Sequence, residues 1–91
     1  MNRVMRKLIL EKNAVEDFEF WARNDLKLLK KIAELFLAIQ KDPFLGIGKP
    51  EALKGDMKGY WSRRINNEHR LVYTITNDAI IVISCRSHYK F

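Results

Sequence analysis

Ninety-one residues with 47% apolar content and a formal charge of +6 suit one folded domain spanning 1–91, burying roughly 60–65% of the surface its unfolded chain exposes. A second domain and a disordered chain are both excluded. The single cysteine, Cys85, rules out an internal disulfide and gives no metal-ligand spacing, while the excess of cations favours phosphate polymers, anionic lipid or an acidic protein without choosing among them.

Residues 6–10 read as a short strand, and the legible pattern begins there, which makes Met5 an alternative start to Met1. The apolar run 8–10 is too short for a signal-peptide core and nothing approaches a membrane span, so a cytoplasmic protein is expected. Asn13 is the expected N-cap of a helix with Val15, Phe18, Trp21 and Ala22 on its apolar face, and Glu16, Asp17 and Glu19 early, where the helix dipole favours anions. Asn24 or Asp25 caps a second helix with an apolar stripe of Leu28, Leu29, Ile32, Leu35, Phe36 and Ile39. Lys27, Lys30 and Lys31 lie mainly outside that stripe and read as a solvated face.

Pro43 ends the second helix, and Gly46, Gly48 and Pro50 make the next stretch a loop that carries Lys49, Glu51 and Lys54 beside the sheet. Three alternating segments follow, 60–65, 69–76 and 79–89. The turn signals Asn66-Asn67 and Asn77-Asp78 join them into an antiparallel meander.

The predicted fold class is α+β in the order β-α-α-β-β-β, with two N-terminal helices packed on one face of a small, largely antiparallel sheet. Strict alternation puts Trp61, Ile65, Leu71, Tyr73, Ile75, Ile81, Ile83 and Cys85 on the core face. It leaves Ser62, Arg64, Arg70, Arg86 and His88 on the open one. Such a face offers cations for a phosphate and a proton donor for a leaving oxygen, the needs of RNA cleavage. Each residue also has a plainer reading. Alone, Glu51 is a solvated loop carboxylate, His88 an exposed histidine, Tyr89 an edge aromatic, and Lys54 and Arg63 surface charges. His69 and Cys85 read as structural.

The stretches DPFLGIGKPEALK (42–54) and GYWSRRINNEHRLVY (59–73), with the ending CRSHY, closely resemble the YoeB/Txe toxins of the RelE superfamily, components of bacterial type II toxin–antitoxin systems. The likeness runs from the first strand to Tyr89. The resemblance implies a ribosome-dependent endoribonuclease that cuts mRNA in the decoding site, needs no cofactor or metal, and is silenced by a cognate acidic antitoxin. It maps the general base to Glu51, the general acid to His88 and the phosphate-stabilising arginine to Arg70, with Tyr89 counted in the catalytic set. Lys49 and Arg64 match positions close to the RNA, and Lys54 and Arg86 complete the candidate RNA-binding cations. Relatives also imply a homodimer. The Ser87 position is often aromatic in relatives, and Lys90 and Phe91 follow the tyrosine that usually ends them.

The resting protonation states agree with those roles. A free glutamate, pKa about 4.3, is ionised at pH 7 and ready to accept a proton, whereas a free histidine, pKa about 6.5, is protonated in roughly a quarter of molecules. Two other classes compete: a non-catalytic toxin of the same fold, such as a gyrase inhibitor, and a basic RNA-binding module. Neither needs the Glu51 and His88 pair.

Overall fold

The computed structural model describes residues 5–87. The expected general acid His88 and its neighbour Tyr89 lie outside the described residues. Strand β1 (Lys7–Leu10) leads into helices α1 (Lys12–Asn24) and α2 (Leu26–Lys41), followed by β2 (Glu51–Ala52), a 3-10 turn at Gly55–Met57, β3 (Tyr60–Arg64), β4 (Arg70–Ile75) and β5 (Ala79–Ser87). The sheet order is β1-β5-β4-β3-β2. Only the β1–β5 pair is parallel; the other three are antiparallel. The expected order thus holds with one addition, the two-residue strand β2, inside the stretch read as loop.

The junction between the helices is one residue long because Asp25 serves both. Its N–H donates to the carbonyl of Trp21, closing α1, and its Oδ1 accepts from the Leu28 N–H, opening α2. At the start of α1 the expected cap is displaced. Glu11, not Asn13, is the N-cap, because the N–H of Glu11 donates to Val82 as β1 leaves the sheet and so turns the chain two residues early. The buried stripe shifts with it. Ala14 and Trp21 are buried and Phe18 is partly so, whereas Val15 and Ala22 stay exposed. Helix α2 buries Ile32, Leu35, Phe36 and Ile39 as its periodicity predicts.

These side chains meet Leu71, Tyr73, Ile80, Val82, Cys85 and Ile65 in one core between the helices and the sheet. Here strict alternation fails in β5. The register with β4 slips between Arg70 and Val72 and again between Val72 and Tyr73, so β5 carries extra residues opposite them. Ile80 and Val82 therefore face the helices, correcting the assignment of Ile81 and Ile83, while the bulge returns Cys85 to the core. Helix α1 occupies the strand edge that β1 leaves open: Asp17 Oδ2 accepts from the Cys85 N–H, and Trp21 Nε1 donates to the Cys85 carbonyl at 2.8 Å.

Candidate active site

The face of the sheet turned away from the helices presents a row of Cα partners, Glu51, Ser62, Val72 and Ser84, running across four strands. Beside it lies the pair Arg64 and Arg70. The Arg70 guanidinium bridges the rows: Nη2 lies 3.5 Å from Glu51 Oε1, and Nη1 donates to Ser62 Oγ at 3.1 Å. Arg70 is the more buried partner, its side chain 20% exposed against 51% for Glu51. An ion pair so open to water adds little stability. It fixes the direction of a carboxylate and leaves three of five guanidinium N–H donors uncommitted among the described residues. Ser62, fully buried beneath Arg70, floors the site, and Arg64 is exposed on the same face.

The loop over 42–50 carries the carboxylate here. Its glycines and Lys49 take positive φ, 127° at Gly46, 85° at Gly48 and 52° at Lys49. The last is unusual for a side-chain-bearing residue. At Gly48 a Cβ would lie 2.9 Å from Leu35 Cδ2 and 3.2 Å from the Arg64 carbonyl oxygen, so the loop lies flat on β3 and α2. The Arg64 N–H donates to the Gly48 carbonyl at 2.7 Å, and two residues after exposed Lys49 the chain pairs as β2, setting Glu51 opposite Ser62.

Sequence reasoning missed Arg63, which is not a surface charge but fully buried. Its Nε donates to Tyr73 Oη at 3.1 Å, Nη1 to the Ile47 carbonyl at 3.1 Å, and Nη2 to the carbonyls of Leu45 and Asp42. The Tyr73 hydroxyl in turn donates to the Pro43 carbonyl at 2.7 Å. Burial raises the Tyr73 pKa above its usual 10, opposed by the hydrogen bond and charge of Arg63. The available signal was two consecutive arginines in an alternating strand, since one of them must point inward.

Of the remaining candidates, Lys54 is exposed just past β2. Arg86 stands apart: its guanidinium carbon lies 3.4 Å from the centroid of the Phe20 ring of α1, in a groove shared with Trp21 and His69 on the helix side. The bulge in β5 is the cause, and it removes Arg86 from the row with Arg70. His69 packs edge-on against Trp21 at 4.9 Å between centroids, in keeping with a structural reading.

Two N-terminal helices on one face of the sheet and a basic, carboxylate-bearing opposite face define a small α+β protein. Residues 10–89 match the model of the YoeB-like toxins of bacterial type II toxin–antitoxin systems. A toxin YoeB from Synechocystis is 60% identical over 74 residues, covering 81% of this chain and 86% of that protein. The YoeB dimer from Staphylococcus aureus superposes with a TM-score of 0.87 at 45% identity, covering 94% of this chain and all of that one. A heterotetrameric YoeB–YefM toxin–antitoxin complex from the same organism gives 0.84 at 45% identity, covering 97% and 100%. The chain belongs to the YoeB-like toxin family.

Proposed function

We propose that this toxin is a ribosome-dependent endoribonuclease that cuts mRNA in the decoding site by general acid–base catalysis, without a metal or cofactor. The observation that carries the reading is the half-exposed Glu51 carboxylate held 3.5 Å from Arg70 on the face turned away from the helices, which also bears exposed Arg64. Glu51 takes the proton from a ribose 2′-hydroxyl. The resulting oxygen attacks the adjacent phosphorus as the bond to the 5′-oxygen breaks. Arg70, with Arg64 beside it, neutralises the charge that grows on the phosphoryl oxygens. His88 protonates the departing 5′-oxygen, with Tyr89 alongside. The products are a 2′,3′-cyclic phosphate and a 5′-hydroxyl end.

Lys49 and Lys54 extend the cationic surface for the RNA backbone, whereas Arg86, on the helix side against Phe20, lies away from it. An acidic antitoxin segment that folds onto the open face would mask Glu51 and Arg70 together, and the complex of the Staphylococcus aureus relative supports such a partner. The YoeB dimer from Staphylococcus aureus supports a homodimer here. Translation on cytoplasmic ribosomes places the protein in the cytoplasm.

The test is translation of a defined message by purified ribosomes with wild type, Glu51→Ala and His88→Ala, mapping RNA ends by primer extension. Both variants should lose at least about two decades of cleavage rate. If all three arrest translation and no new RNA ends arise, the protein is a binding inhibitor.

A further inference from the structure

We propose that Arg63, buried on the side of the sheet opposite the reacting groups, is a positioning residue for the Glu51 carboxylate. The inference rests on the reading of Glu51 as the general base.

The loop over 42–50 makes no ladder of its own, so its backbone must find partners elsewhere. The carbonyls of Asp42, Leu45 and Ile47 accept from the Arg63 guanidinium, that of Pro43 from the Tyr73 hydroxyl, and that of Gly48 from the Arg64 N–H. Five carbonyls within seven residues are thus tied to β3 and β4, three of them through one side chain. Gly46 is fitted to that side chain, since a Cβ there would lie 3.0 Å from Arg63 Nη1. The next anchored point along the chain is Glu51 itself, whose Cα partner Ser62 is the neighbour of Arg63 in β3. One residue therefore sets the loop's path while its neighbour sets the register where that path ends.

An apolar side chain at position 63 would be cheaper to desolvate, but would take a donor from each of three carbonyls. A lysine keeps the charge yet is a point donor on a flexible stem, unable to span acceptors laid out for a planar fork. Misplacing a base by about 1 Å costs up to roughly 100-fold in rate even when the fold survives.

The experiment measures single-turnover cleavage of a message on purified ribosomes by wild type, Glu51→Gln, Arg63→Lys and Tyr73→Phe. Rates are corrected for folded fraction by near-ultraviolet circular dichroism, and amide hydrogen exchange is followed in parallel. Arg63→Lys is expected to lower the saturating rate about 10- to 100-fold while half-saturation moves less than about twofold. Tyr73→Phe, which keeps the core volume, should lose about threefold to tenfold and carries the test if Arg63→Lys does not fold. Exchange should accelerate at amides of 44–51 and hold in α1, α2 and β5. Wild-type cleavage and loop exchange in folded Arg63→Lys or Tyr73→Phe would overturn the proposal and leave Arg63 a stabilising residue only. Equal cleavage by wild type and Glu51→Gln would instead remove the base, and with it any residue acting through it.

Discussion

Cys85 sits where β4, β5 and α1 converge, fully buried, with its Sγ 3.8 Å from the carbonyl oxygen of Ala14. Burial, and secondarily the Asp17 carboxylate, push its thiol from an ordinary value near 9 up to about 12. The folded protein therefore holds this proton at a pH where the unfolded chain has released it. Stability attributable to the group is intact below pH 9 and is lost as pH rises from there towards 12, with a slope of at most about 1.4 kcal/mol per pH unit. Tyr73, also raised, adds to the loss from about pH 10 upwards. Urea midpoints followed from pH 7 to 11 should fall across this window, and Cys85→Ala should flatten the first part of the fall. The same burial predicts that a thiol reagent at pH 8 leaves the folded protein unlabelled. Rapid labelling under native conditions would contradict the packing around β5.

Elements of this chain differ in how far local chemistry determines them, and two of its glycines expose the difference, one in the site loop and one in the 3-10 turn after β2. Gly48 and Gly55 both have positive φ, 85° and 63°, yet an added Cβ meets three atoms within 3.2 Å at Gly48 and nothing within 4 Å at Gly55. Gly55→Ala should cost about 1 kcal/mol from backbone strain alone, and Gly48→Ala about 3 kcal/mol or more, read as shifts in urea midpoint. Where local signals suffice, the sequence was legible: the α2 stripe and the two turns of the meander stand where spacing placed them, and of the two offered caps of α2, Asn24 and Asp25, Asp25 is the one used. Besides the start of α1, where Glu11 caps in place of Asn13, three features were not legible. Strand β2 is two residues long and exists through its pairing with β3, which no local pattern announces. The parity of β5 changes at bulges whose backbone is held by Asp17 and Trp21, about 65 residues away in sequence, so alternation could not reveal it. Arg63 reads as surface because charge usually is, and only the carbonyls gathered around it make the interior tolerable. Of the candidate site, Arg64 and Arg70 share one face as their parity implied and the loop brings Glu51 to it, whereas Arg86 lies elsewhere.

At the scale of the whole molecule, a charge of +6 on 91 residues makes attraction to RNA salt-dependent before any chemistry occurs. Binding of a short single-stranded RNA, measured by fluorescence anisotropy across a range of KCl, should weaken linearly on a log–log plot. Arg64→Ala should reduce the slope by about 0.7, the value of one phosphate contact on a single strand. An unchanged slope would mean that Arg64 touches no phosphate. The topology has a separate consequence. Strand β5, the last segment of the sheet to be synthesised, lies at its interior, flanked by β1 from the start of the chain and by β4. The parallel pair β1–β5 and the bonds from α1 to Cys85 can form only after that segment has emerged. Until then β1 has no neighbour in the sheet and α1 no edge to cover. Assembly of the sheet thus waits for the last of its strands, and whatever depends on the finished face carrying Glu51 and Arg70 waits with it.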